Sequence, residues 1–321
     1  MDQARARSAF DHERLLHELA NSDAASESSD TQTEPDFTEY LAFYGLARHA
    51  EHRAQVLSVD VADRRERIVL QRFSPAKPNA WAIFHHGYFD HVGLFGHVID
   101  YLLERNIGVF AFDQVGHGLS SGERVTVQNF DHYVDVLHAV LGEIDRAVQT
   151  TPHWLGQSMG GAILLEYLQR HPDRQIKELV LFAPLIRPYA WAVNRIYFWL
   201  AKQMITERPR TITSNASNAE FLYLQHHDPL QAEVLPVAWV QAMVHWFEDF
   251  VHYPVSNRAP KIIQGHQDRT IDRRYGAKVI DARYPNTKWL QIPEASHHLA
   301  NESAAIRAKM FAWLDSECQW R

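Results

Sequence analysis

Residues 153–172 read HWLGQSMGGAILLEYLQRHP. A short apolar run, HWLGQ, leads into a Gly-x-Ser-x-Gly turn, and Ile163, Leu164, Tyr167 and Leu168 then recur at helical packing intervals. Strand, sharp turn and helix in direct succession give this motif a mechanical meaning. Glycines let backbones pass closely, the serine is lifted out of the turn, and the helix N-terminus faces a developing oxyanion. The same pattern occurs at 118–122, GLSSG, but there the polar run DQVGHG comes first and no helical pattern resumes until about Asn129. Ser158 is therefore the candidate nucleophile, and Ser120 is expected to shape a loop.

Working outward, short β-rich runs alternate with helical patterns. The runs are QVLSVDV, RIVLQRF, AWAIFHH, IGVFAFD, HWLGQ, ELVLFAP, KIIQG and KWLQI, and the helical patterns fall at 97–105, 129–148, 159–170, 273–283 and 303–314. This alternation predicts an α/β fold with a mostly parallel central sheet and helices on both faces. Residues 184–260 break it. They are rich in aromatics such as Trp191, Phe198, Trp239 and Trp246, too long for a simple loop, and read as a mainly helical insertion. Residues 1–36 read as a flexible extension, with a short helix around Phe10–Leu19 followed by the linker NSDAASESSDTQTEPD. The organisation expected is thus extension 1–36, core 37–185, helical insertion 186–250 and core 251–321.

A formal net charge of −7, with no block of five or more Lys/Arg, excludes the electrostatic footprint of a nucleic-acid binder. The single cysteine, Cys318, rules out an internal disulfide and suits a reducing compartment, so the expected location is the cytoplasm. No N-terminal apolar run of signal-peptide length is present, and the most apolar stretch, 178–202, is cut by Pro184, Arg187, Pro188, Asn194 and Arg195. No segment reaches the roughly 20 apolar residues of a membrane span, so a soluble chain is expected.

A serine hydroxyl needs a histidine base, and that histidine needs a carboxylate to fix its tautomer. In the strand–turn–helix setting the chain order is Ser, acid, His. Asp268 follows the run KIIQG, and His297 and His298 follow KWLQI, both in loops beyond the carboxyl ends of strands, where the ligands of open α/β sheets gather. Asp272, Asp281 and Asp228 compete for the acid role, and the chain holds 20 histidines, most of which must do something else. For the oxyanion, the candidate donors are the backbone N–H groups of Met159 and of Tyr88, the latter in the loop His86-Gly87-Tyr88 after AWAIFH.

Four segments together resemble the α/β-hydrolases of the monoacylglycerol lipase, lysophospholipase and serine aminopeptidase type, over roughly 55–315. HHGYFDHVGLFGHVIDYLLERNIGVFAFDQVGHGLSSGE (85–123) is similar to that family's His-Gly oxyanion segment and its following Gly-His-Gly-x-Ser loop; GQSMGG is similar to its nucleophile elbow, GHQDRTID to its acid loop and PEASHHLANE to its histidine loop. The resemblance implies Ser158 as nucleophile, Asp268 as acid and His297, rather than His298, as base. It further implies His86, Gly87 and Gln157 beside the substrate, a cap at 186–250, and neither cofactor nor metal. Gln157 and Glu294 stand where the family more often has His and Gly. The implied activity is hydrolysis of a monoacylglycerol, lysophospholipid or short to medium chain ester, with a thioesterase, an aminopeptidase or a catalytically silent binding protein as alternatives. A metal enzyme using HHGYFDH or QHHD is less well matched, because the first cluster is accounted for as the oxyanion loop. Transient contact of the cap with a membrane surface, and the oligomeric state, stay open.

Overall fold

The computed structural model describes residues 10–25, 35–48, 51–201 and 203–320. Its centre is an eight-stranded sheet built from β1 (Glu51–Val61), β2 (Arg64–Ser74), β3 (Ala80–His85), β4 (Ile107–Phe112), β5 (His153–Gln157), β6 (Leu179–Phe182), β9 (Lys261–Gly265) and β10 (Lys288–Ile292), in the spatial order β1-β2-β4-β3-β5-β6-β9-β10. β2 runs antiparallel to both β1 and β4, and every later pairing is parallel. All eight runs named from the sequence are strands of this sheet.

Burial follows position. Every residue of β4 and β5 is buried, as a strand covered on both faces requires. In edge strand β1, buried Leu57, Val59 and Val61 alternate with exposed residues, the signature of one wet face. The helices α3 (Gly96–Leu103), α4 (Asp131–Ala147), α5 (Met159–Arg170), α9 (Arg273–Arg283) and α10 (Ala304–Glu317) connect or follow the strands. α4 shows why: Tyr133, Val134, Leu137, Val140, Leu141 and Ile144 form one buried stripe at helical spacing.

Two regions differ from the sequence reading. Within the extension 1–36, residues His12–Ala25 form a helix, α1, that continues past Leu19. Phe10, Leu15 and Leu19 are buried, and the Phe10 ring packs 5.2 Å from that of Phe43, on the short helix α2 (Thr38–Phe43), and 5.8 Å from that of Tyr44. Burying such side chains stabilises by about 1.5–3 kcal/mol each, enough to hold this segment on the core. Most of the linker, residues 26–34, lies outside the described residues.

The second difference is in the insertion. It contains α6 (Trp191–Ala201), α7 (Ala219–His227) and α8 (Val237–Phe250), but also β7 (Glu207–Pro209) and β8 (Val234–Pro236), paired antiparallel with Arg208 opposite Leu235. Strands of three residues that end in proline show no hydrophobic period, so the sequence hides them.

Two buried polar contacts fasten the insertion to the core. Glu166 of α5 is fully buried, and its carboxylate accepts from Trp246 Nε1 of α8 at 2.8 Å, from the Tyr253 hydroxyl at 2.8 Å and from Arg170. Asp228, just after α7, accepts from His91 Nε2 at 2.8 Å and from the Tyr44 hydroxyl at 2.7 Å. A buried carboxylate is tolerated only when its oxygens are satisfied in this way.

The chain leaves β3, forms β4 on one side of it, and later lays β5 on the other. The loops after β3 and β5 therefore diverge at a topological switch point, where open α/β sheets form a crevice. Among the described residues, no helix is long and apolar enough to cross a membrane.

Candidate active site

Ser158 sits at this crevice, between the end of β5 and the first turn of α5, with φ 50° and ψ −114°. A positive φ in a residue with a side chain is strained, and it persists here because the surroundings over-determine it. Ser158 N–H donates to the Phe182 carbonyl at 2.9 Å, and the Ser158 carbonyl accepts from Ala162 and Leu185 at 3.1 Å each. Two residues on, a side chain at Gly160 would press into the carbonyls of His85 and His86, so only glycine lets α5 pass this close to β3.

β9 and β10 are parallel neighbours in register, Gly265 opposite Ile292, which brings the loops after them together. His297 reaches from the second loop. Its Nε2 lies 3.0 Å from Ser158 Oγ, and its Nδ1 lies 2.8 Å from Asp268 Oδ2. Asp268 Oδ1 accepts the backbone N–H of Thr270 at 2.8 Å and of Ile271 at 3.1 Å, and Oδ2 also accepts from Gln264 Nε2 at 3.0 Å. Burial on its own would raise the Asp268 carboxyl, but His297 and these donors outweigh it and hold the group below the ordinary carboxylate value. For His297, burial disfavours the imidazolium, and the Asp268 charge and hydrogen bond overcome that and raise it above 6.5.

The competing carboxylates are engaged elsewhere. Asp272 caps α9 through Tyr275 N–H at 3.1 Å and pairs with Arg187 at 2.7 Å, Asp281 accepts from Trp289 Nε1 at 2.8 Å, and Asp228 faces His91. His298 has its Nε2 3.2 Å from Asp90 Oδ2 and forms no hydrogen bond with Ser158.

The loop after β3 passes directly over the serine, and a Cβ at Gly87 would stand 3.4 Å from Ser158 Cβ. The backbone N–H groups of Tyr88 and Met159 donate to no acceptor among the described residues, Met159 being the first residue of α5. Tyr88 is fixed by its side chain, whose hydroxyl donates to the Val125 carbonyl at 2.6 Å and whose ring stacks on Trp239 at 3.5 Å.

Three residues expected beside the substrate do not line the cavity. His86 is buried, donating from Nδ1 to the Gly87 carbonyl at 2.8 Å and accepting Gln114 N–H at Nε2 at 2.9 Å. Gln157 is buried and donates to the His297 carbonyl at 3.0 Å, tying the serine turn to the histidine loop. Gly87 supplies only backbone. The side chains of His86 and Gln157 thus brace the loops around the serine rather than face the cavity.

Above Ser158 and His297 lies a cavity of about 410 Å³, walled mainly from the insertion by Trp191, Phe198, Leu235, Trp239 and Met243. Asp90, His298, Arg208 and Arg210 also line it. The sequence reading missed Arg208 and Arg210 as cavity residues, since nothing in residues 203–215 carries a period or motif. No cluster of three or more His, Cys, Asp or Glu suited to a metal occurs among the described residues.

The doubly connected sheet, the switch-point crevice and the strained serine turn define an α/β-hydrolase. The family model described as serine aminopeptidase, S33, matches residues 76–304, and the chain belongs to that family, within the monoacylglycerol lipase type. Monoacylglycerol lipase of Mycolicibacterium smegmatis is 25% identical over 247 residues, covering 74% of this chain and 88% of its own length. Monoglyceride lipase of Rattus norvegicus is 25% identical over 237 residues, 70% of this chain and 77% of its own length. Among solved structures, a soluble variant of the Saccharomyces cerevisiae monoglyceride lipase with a substrate analog superposes with a TM-score of 0.72 at 18% identity, covering 85% of this chain and 97% of that one. Monoacylglycerol lipase of Paleococcus ferrophilus gives 0.65 at 17% identity, covering 78% and 98%. These superpositions bear on the fold.

Proposed function

We propose that the protein hydrolyses carboxylic esters through an acyl-enzyme on Ser158, with His297 as base and Asp268 as its carboxylate partner. The chain is a carboxylic ester hydrolase, related to monoacylglycerol lipases over most of its length. The observation that carries the mechanism is the continuous hydrogen-bonded line from Ser158 Oγ through His297 to Asp268, at 3.0 and 2.8 Å. With Asp268 holding the Nδ1 proton, Nε2 is free to take the Ser158 proton as Oγ attacks the ester carbonyl. The imidazolium that forms is stabilised by Asp268, and the oxyanion is received by the N–H groups of Tyr88 and Met159, which are left without protein acceptors. His297 then protonates the departing alcohol, and water repeats the cycle on the acyl-enzyme.

Residues 186–250 act as a cap whose aromatic wall suits an acyl chain better than a peptide. The relatives' names favour a monoacylglycerol, and a lysophospholipid or a short to medium chain ester fits the same cavity. The outward face of α6, with Val193 72%, Ile196 62% and Trp199 64% exposed, supports transient contact with a membrane surface, and the buried, reduced Cys318 supports a cytoplasmic location.

The test is labelling with a fluorophosphonate. Wild type and Ser120→Ala are expected to label at similar rates and Ser158→Ala not at all; labelling of Ser158→Ala near the wild-type rate overturns the assignment.

A further inference from the structure

The cavity wall also carries two cations, Arg208 exposed and Arg210 half-buried. β7 and the residue after it place Arg208 and Arg210 two apart on an extended chain, hence on one side, and both line the cavity. The Arg210 guanidinium lies 4.1 Å over the Phe89 ring, and its Nη1 donates to the Gln231 side-chain oxygen and to the Ala232 carbonyl at 3.3 Å. All of those partners are neutral. Its other edge, Nε and Nη2, donates to nothing among the described residues, and that edge is the planar fork that binds an oxyanion with two parallel hydrogen bonds. Neither arginine has an ion-pair partner there.

Asp90 and Asp228 act on Arg210 through space, and neither forms an ion pair with it. Asp90 faces His298 at 3.2 Å, and Asp228 faces His91 at 2.8 Å. Burial destabilises the Arg210 cation, and Asp90 and Asp228 offset that only through space. A chain of net charge −7 thus keeps two unpaired guanidinium groups in the wall of its catalytic cavity.

We propose that this wall recognises the alcohol end of the substrate, and that the preferred substrates are acyl esters of an alcohol carrying an anionic oxygen group, held by the free edge of Arg210 with Arg208 beside it. The inference rests on the ester hydrolase reading above and adds the chemistry of the head group. A phosphate and a carboxylate offer the same chemistry to the fork.

The experiment uses full-length Ser158→Ala, which binds without turnover, titrated calorimetrically with three uncleavable ethers below their micelle concentrations: 1-O-decylglycerol, its 3-phosphate, and 3-O-decylglyceric acid. At least one anionic ether is expected to bind about tenfold or more tightly than the neutral one, in keeping with a charge-assisted bidentate contact. Which anion gains more identifies phosphate or carboxylate as the natural group. Adding Arg210→Gln should bring the ratio of affinities close to one, Arg210→Lys should keep part of it, and Arg208→Gln should lower it less. Equal binding of neutral and anionic ethers, or a ratio unmoved by Arg210→Gln and Arg210→Lys alike, overturns the proposal. Failure of the ester hydrolase reading would appear in the fluorophosphonate labelling and not in these affinities.

Discussion

The two Gly-x-Ser-x-Gly turns spell the same pattern and do opposite things. At 156–160 the serine itself carries the positive φ, with its hydroxyl facing an imidazole 3.0 Å away. At 118–122 the glycines carry it, Gly118 at φ 50° and Gly122 at φ 107°. Ser120 is buried there, its hydroxyl donating to the Asp113 carbonyl at 2.5 Å and accepting Val69 N–H at 2.9 Å, so it straps the loop after β4 onto β2. A side chain at Gly118 would press into the Asp113 carboxylate, which itself holds Val92 and Leu119 N–H at 2.7 and 2.8 Å. Positive φ on the serine costs strain and presents a reactive atom; positive φ on the neighbouring glycines costs none and lets the serine turn inward and use up its hydrogen bonds. The motif alone does not say which, and the helix that follows it does.

The contrast can be broken most severely at Ser158. Ser158→Ala should reduce turnover of an aryl ester by on the order of 10⁶, with its thermal midpoint near wild type, while Ser120→Ala keeps turnover within a few-fold. Steady-state assay of both variants reads this directly, and a comparable loss in Ser120→Ala would erase the distinction. Next in size, Asp268→Asn should cost about 10⁴ in kcat, because the amide presents the wrong hydrogen-bonding partner to Nδ1.

The same pair sets the pH dependence. His297 is raised above 6.5, and only its neutral form accepts the serine proton, so kcat/KM should fall as pH drops through a value above 6.5. In Asp268→Asn burial is opposed only by the weaker pull of the Asp90 charge, and the acid limb of the residual activity should move to lower pH. An unmoved limb would mean that another group titrates. The smallest effect belongs to the strap: Ser120→Ala leaves a buried carbonyl and N–H unsatisfied and should lower unfolding stability by about 1–3 kcal/mol, read from the urea midpoint.

Much of this was legible in the sequence because burial on both sides writes itself as uninterrupted apolar runs. AWAIFH and IGVFAF could be little else than central strands, and once strands were placed, Ser158, Asp268 and His297 fell at their carboxyl ends. Asp268 could be told from Asp272 only through position relative to KIIQG, and the structure puts Asp272 at a helix cap. What stayed hidden depends on contacts remote in sequence. Phe10 packs on rings some 30 positions away, the β7–β8 ladder joins 207–209 to 234–236, and Arg210, next after β7, lines the cavity beside it. The resemblance placed His86 and Gln157 beside the substrate, but contacts remote in sequence hold them off the cavity: His86 accepts from Gln114 N–H and Gln157 donates to the His297 carbonyl.

The central claim is that one of two textually equal serines becomes acylated. Wild-type protein trapped with a fluorophosphonate, digested and read by peptide mass spectrometry should carry the adduct on the peptide containing Ser158, stoichiometrically and nowhere else. An adduct on Ser120, or on any serine outside the turn between β5 and α5, would contradict the account.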